Sequence, residues 1–183
     1  MKQFTAKTFN IPVLKGVSTK TNEEHIKLYN AYVKNTNALL ETVGELNRRF
    51  GFEFDGMRNH ELYFSQLEGG SKPLKTSGSG SLKGAIEEEY GSFESFLTAF
   101  KGLAMTRGIG WAMLWYDRKD KRLLTSWVDE QHIGQLNNCT PLLALDMWEH
   151  SYVADYQPSG KKQYVEDFFA NLNWEIVENN FKI

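Results

Sequence analysis

Between Gly110 and Met147 the hydrophobic period of the chain changes, and this limits the fold more than any other feature. "GWAMLWYD" and "RLLTSWV", joined by the charged turn "RKDK", have the short apolar and aromatic runs of a β-hairpin, and "PLLALDM" reads as a third short strand. The remainder is patterned for helices. From Thr21 to about Arg49 apolar residues recur at 26, 29, 32, 33, 39, 40, 43 and 46, close to the 3.6 period. They predict one long helix with a weak point at Asn35-Thr36-Asn37. "MRNHELYFSQL" predicts a second helix. "LKGAIEEEYGSFESFLTAFKGLAMT" predicts two more, parted at Gly91-Ser92 with Ser92 as a cap, and the tail "KKQYVEDFFANLNWEIVENNF" is helical again. The most loop-like stretch, "EGGSKPLKTSGSGS", places a seam between an N-terminal helical hairpin, 1–75, and an α/β half, 76–183, with a small three-stranded antiparallel sheet. The class is α+β.

Composition removes whole groups of functions. With 21 basic and 23 acidic side chains in 183 residues the net charge is -2, so no electrostatic footprint for nucleic acid or a membrane surface exists. No apolar stretch nears the ~18 residues of a membrane span, and the first residues, "MKQFTAKTFNIPVL", lack the apolar core of a signal peptide. The single cysteine, Cys139, excludes an internal disulfide framework and fits a reducing compartment, which makes a cytoplasmic protein the expectation.

The chemistry-bearing residues are few. The apolar run Leu142 to Leu145 ends on Asp146, and His150 follows four residues later. Of the four histidines, His25 lies in the first helix, His60 in "NHELYF" and His150 just past the third strand, each beside apolar and aromatic residues able to form a dry shell. Together with Asp146 they would supply three imidazole nitrogens and one carboxylate from separate elements, leaving one position open. That donor set suits iron or manganese in a redox role. A buried ion-pair network has the same composition, and both readings stand at this point. No cysteine pair or HExxH supports zinc, and "GSGSLKG" lacks the ending of a phosphate loop.

Six segments, in order, resemble the iron/manganese superoxide dismutase family along nearly the whole chain. "DMWEHSYVADY" is similar to its D-x-W-E-H-A/S-Y signature, "AYVKNTN" to a run of its first helix, and "NHELYF" to the segment of its second ligand. "YGSFESF", "GIGWAML" and "NLNWE" complete the set. The resemblance implies a dismutase that converts superoxide to dioxygen and hydrogen peroxide with one iron or manganese ion per subunit, held by His25, His60, Asp146 and His150. It also implies Tyr32 as a hydrogen-bonding residue beside the metal-bound solvent, and Tyr63, Trp111 and Trp148 as cavity walls. Glu149 would reach the partner's equivalent of His150 across a homodimer, which could pair further into a tetramer.

Departures from the family pattern carry expectations of their own. His25 precedes Tyr32 by seven residues instead of eight, so Tyr29 takes the place of a gateway histidine, while Val153 replaces the tyrosine that such a histidine meets across the dimer. Tyr29 is therefore expected at the channel mouth. Gly56 cannot supply the outer glutamine found four residues before the second ligand in some relatives, and "VDEQHIGQL" offers Gln131 or His132 instead; the E-x-H register favours His132. Gly56 fits the manganese-type pattern and an outer histidine the iron-using or metal-flexible one, so the metal stays undecided. Lys161 is a candidate for attracting the anion. Two other readings remain: a mononuclear iron oxygenase, disfavoured because three histidines leave too few open positions, and a non-catalytic dimeric relative that keeps the metal.

Overall fold

A computed structural model describes residues 2–42, 44–75 and 80–182. An extended N-terminal segment leads into α1, Thr19–Leu39, whose first turn is capped by the Ser18 side chain accepting the Thr21 N–H. A 3₁₀ stretch, Gly44–Arg49, precedes α2, Phe50–Ser65. After the loop come α3, Leu82–Tyr90, and α4, Phe93–Ala104, separated at Gly91 with Ser92 capping α4 as the sequence predicts. The three strands are β1, Gly110–Asp117, β2, Arg122–Asp129, and β3, Cys139–Asp146, in the order β2-β1-β3 and antiparallel throughout. A 3₁₀ turn, Glu149–Ser151, the short α5, Val153–Tyr156, then α6, Lys161–Asn171, and α7, Trp174–Phe181, close the chain. The α+β class holds.

Four boundaries differ from the sequence reading, the first being that α1 stops at Leu39 and a 3₁₀ stretch replaces the helix expected to run to about Arg49. Helix α1 runs unbroken through Asn35–Asn37, because the Asn37 side chain is occupied by the Phe4 main chain and does not compete with the helix backbone. The tail divides at Leu172–Asn173, where the Asn173 side chain accepts the Glu175 N–H and caps α7. Helix α2 begins at Phe50, earlier than expected. The seam expected at 75/76 adjoins residues 76–79, which lie outside the described residues.

Packing brings the halves onto one core. Helices α1 and α2 meet at Gly56, where a Cβ would lie 2.7 Å from the Tyr32 ring, so only glycine lets the tyrosine lie flat on α2. Helix α2 and the sheet are joined by Gln66, whose buried amide bonds both the carbonyl and the N–H of Ala144. Along the outer edge of β3, Asn180 donates to the Leu142 carbonyl and Tyr164 to that of Asp146. In the middle strand Trp111 lies opposite Asp146, which sets the end of β3 against an indole.

Candidate metal centre

The sheet delivers Asp146 at the fully buried end of β3, and the chain then turns sharply. The Trp148 N–H donates to Asp146 Oδ1 at 2.9 Å, and the Ser151 hydroxyl lies 2.6 Å from the Trp148 carbonyl and 3.0 Å from that of Asp146, so the turn is tied to the residue that begins it. This returns His150 to the same carboxylate. Helices supply the other two imidazoles: His25 from the buried face of α1 and His60 from that of α2.

Asp146 Oδ2 is the meeting point. The Nε2 atoms of His25 and His150 each lie 3.0 Å from it, and that of His60 3.6 Å. One ligand atom from each of the four residues falls within a span of 4.8 Å. The His60 Nδ1 sits 2.6 Å from the Gly56 carbonyl. A carbonyl can only accept, so Nδ1 carries the hydrogen and the neutral ring turns a bare lone pair on Nε2 inward. That Nε2 is buried and has no hydrogen-bond partner among the described residues. Burial, then the neighbouring His25, pushes the His60 pKa down to about 3, and burial lowers His25 as well. Burial alone would raise Asp146, but the imidazoles of His150 and His25 hold it well below the usual carboxylate range. The bare Nε2 of His60 and the ionised Asp146 carboxylate have no proton to share between them. A divalent or trivalent cation satisfies all four at once.

The walls are aromatic. Tyr32, Tyr63, Phe64 and Trp111 have ring centres about 5 Å from those of the inner histidines, at 5.0, 5.1, 4.9 and 5.0 Å. Trp148 stacks on His150, the one ligand with an exposed edge, its side chain 26% accessible. Trp148 also donates its indole N–H to the Glu130 carbonyl. Glu149 is exposed, and Val153 is half-buried at the start of α5. Glu24, beside His25, is on the surface and pairs with Lys27.

The outer residue is where the structure corrects the sequence reading. Gln131, fully buried, accepts the Trp111 indole N–H on Oε1 at 2.9 Å and donates from Nε2 to the Tyr32 oxygen at 2.9 Å. His132 makes neither bond; its ring packs edge-on to Phe52 and its Nδ1 has no hydrogen-bond partner among the described residues. The bond to Tyr32 is thus made by Gln131 and not by the expected His132, in a turn that begins at Glu130 with φ 51°. Asn59, next to His60, holds this turn by donating to the Gln131 carbonyl at 2.9 Å. The sequence reading missed that role, although Asn59 opens the quoted "NHELYF" segment.

Tyr29 also differs from expectation. It is fully buried; its hydroxyl accepts the Lys7 N–H at 2.8 Å and donates to Glu61 at 3.2 Å, and its ring packs on Phe9 and Phe64. Seven residues are close to two helical turns, so His25, Tyr29 and Tyr32 share one inward face of α1 and Tyr29 cannot line a mouth. Lys161 is engaged too, its ammonium donating to the Thr106 carbonyl at 2.7 Å.

A family model described as "Iron/manganese superoxide dismutases, C-terminal domain" matches residues 78–180. The chain is 34% identical to "Superoxide dismutase [Mn]" of Mycolicibacterium fortuitum, over 90% of this chain and 84% of that one. It is 35% identical to "Superoxide dismutase [Fe]" of Cupriavidus metallidurans, over 92% and 90%. A mitochondrial "Superoxide dismutase [Mn]" of Glossina morsitans morsitans is 32% identical over 86% and 77%.

Proposed function

Because the chain belongs to the iron/manganese superoxide dismutase family and is a superoxide dismutase using one iron or manganese ion, we propose how its own residues hold the metal and manage protons. His25, His60 and His150 bind through Nε2 and Asp146 through Oδ2. The observation that carries this assignment is the convergence of three imidazole nitrogens on that one oxygen. When bound, the ion supplies the redox chemistry, oxidising one superoxide to dioxygen in its trivalent state and reducing the next to hydrogen peroxide in its divalent state.

Protein groups do the remainder. The Gly56 carbonyl fixes the His60 tautomer, and the Trp148 N–H fixes the carboxylate. Trp111 occupies Gln131 Oε1, which compels the amide to present its NH₂ to Tyr32. The Tyr32 oxygen therefore accepts, and its own hydrogen remains free to be donated into the site. Burial, then the negative charge of Asp146, raises the Tyr32 phenol above its ordinary pKa and keeps it a neutral donor. Two protons are needed per peroxide formed, and Tyr32 with Gln131 is placed to pass one inward while solvent supplies the other.

The decisive test is elemental analysis of natively purified protein with dismutation assays of the iron-loaded, manganese-loaded and metal-free forms. We expect one ion per chain, and activity with only the appropriate metal. A protein that fills the site yet leaves superoxide untouched would be the non-catalytic relative.

We also propose a homodimer across the face bearing Glu149 and His150. Ile109 and Ile133, 41% and 54% exposed, flank that face: the Ile109 carbonyl bonds Glu130, Ile133 bonds Asp129, and the Glu130 carbonyl holds Trp148. Sedimentation at micromolar concentration should give the mass of two chains; a monomer would reject this arrangement. An antioxidant role in the cytoplasm suits the lone cysteine. Among the described residues no helix is long and apolar enough to cross a membrane.

A further inference from the structure

Proton management as described uses neither of two buried phenols beside the ligands, Tyr63 and Tyr164. The Tyr63 ring lies 5.1 Å from that of His25, and its hydroxyl 3.2 Å from the Tyr164 hydroxyl. Tyr164 gives its single hydrogen to the Asp146 carbonyl, so Tyr63 must be the donor between the two. Beyond Tyr164 stands Tyr156, half-buried, with its ring centre 5.8 Å away. The Tyr156 hydroxyl donates to Asp167 Oδ2 at 3.0 Å, and Asp167 Oδ1 pairs with the largely exposed Lys15 at 2.7 Å. Gly16, at φ +77°, closes over this contact: a Cβ there would lie 1.8 Å from the Tyr156 oxygen. The main chain thereby keeps the phenol on its carboxylate.

A line of phenols thus runs from a histidine of the metal site to a buried acid that is paired with a surface lysine, joined hydroxyl to hydroxyl between Tyr63 and Tyr164 and by a ring contact between Tyr164 and Tyr156. Phenylalanine would fill the same volume, so packing alone does not account for hydroxyls at all three positions. Phenols are among the side chains most easily oxidised by one electron. An oxidised phenol must shed its proton, and in this line only Tyr156 has a carboxylate at its hydroxyl.

We propose that Tyr63, Tyr164 and Tyr156 form a one-electron relay that spares the ligand histidines when hydrogen peroxide, the product of dismutation, reacts back at the reduced site. This rests on the dismutase reading above. The O–O bond breaks, and one peroxide with two electrons and two solvent protons gives two waters. One electron leaves the divalent ion, which becomes trivalent. The other leaves Tyr63 and is replaced from Tyr164 and then Tyr156, whose hydroxyl proton passes to Asp167. A neutral phenoxyl radical is left on Tyr156, away from the imidazoles.

The test uses the protein loaded with whichever metal restores dismutation, reduced, and given stoichiometric hydrogen peroxide without air. Freeze-quench electron paramagnetic resonance should show a phenoxyl signal, and peptide mass spectrometry should place oxidation at Tyr156. Tyr156→Phe should keep the dismutation rate, lose that signal, and show severalfold more oxidation of His25, His60 and His150. Tyr63→Phe, folded by circular dichroism, should lose the Tyr156 radical although Tyr156 is intact. A radical confined to Tyr32 or Trp111, unchanged histidine oxidation in both variants, or equal Tyr156 oxidation in metal-free protein would overturn the relay. A loaded protein that does not dismutate superoxide would instead sink the reading beneath it.

Discussion

His25 and His60 reach the metal site singly, from the interiors of two long helices, whereas Asp146 and His150 arrive together from the last residue of a strand and the turn after it. The strand-end pair is set locally, by the Trp148 N–H on Asp146 Oδ1 and the Ser151 hydroxyl on the Asp146 carbonyl. The helical pair depends on how α1 lies on α2, through Tyr32 over Gly56 and through the N-terminal segment pinned at Tyr29. Such a site tolerates a changed spacing in α1, since two helical turns still keep His25 and Tyr32 on one face. The strand end has no such second route, since among the described residues the Trp148 N–H alone holds Asp146 Oδ1.

Asp146→Asn should break the comparison most severely. It removes the charge on which three imidazoles converge, and we expect stoichiometric metal and dismutation to fall to background by elemental analysis and superoxide assay, with the fold retained.

Gln131→Ala should keep the metal and lower dismutation by roughly 10–100-fold with a shifted reduction potential, the range for residues that orient a metal's neighbours. His132→Ala is the control and should change neither. A reversed outcome would restore His132 to the site.

Acid should act on the helical pair in the metal-free protein. The pKa of His60 is pushed down from 6.5 to about 3 when folded, so the unfolded chain binds a proton that the folded one refuses. Stability is therefore complete above pH 6.5 and is lost as pH falls towards 3; for this group alone denaturant titrations should show about 2 kcal/mol less at pH ~5 than at pH ~7.5. Metal-loaded protein should lack this slope until the ion is released.

Gly56→Ala tests the helix contact itself. With a methyl 2.7 Å from the Tyr32 ring, a destabilisation of about 1–3 kcal/mol is expected, with loss of activity exceeding loss of metal as Tyr32 is displaced. Least affected should be Tyr29→Phe, which removes one hydroxyl shared by Lys7 and Glu61. About 1 kcal/mol and a melting point lower by about 2–4 °C are expected, with turnover unchanged.

These contrasts match what could be read in the sequence. The strand-end pair was legible because "LLALDMWEH" compresses its cause into nine residues: an apolar strand, its terminal acid, and a histidine one turn on. The helical period placed His25 and His60, and Ser92 announced its own cap. What stayed hidden depended on geometry that no local pattern records. Gln131 rather than His132 reaches Tyr32, and the Phe4 main chain keeps Asn37 from breaking α1. Tyr29 faces inward because the spacing to its neighbours on α1 changed, and Tyr164 reaches the Asp146 carbonyl from 18 residues away.

The outer edge of β3 carries one more consequence. The Leu142 and Asp146 carbonyls accept from Asn180 and Tyr164, and the carbonyl and N–H of Ala144 both bond Gln66. An uncovered edge would be a template for strands of other molecules. In this protein side chains from α6, from α7 and from the residue that ends α2 occupy that template, so the residues that seat helices on the sheet also guard a concentrated solution of the enzyme against aggregation.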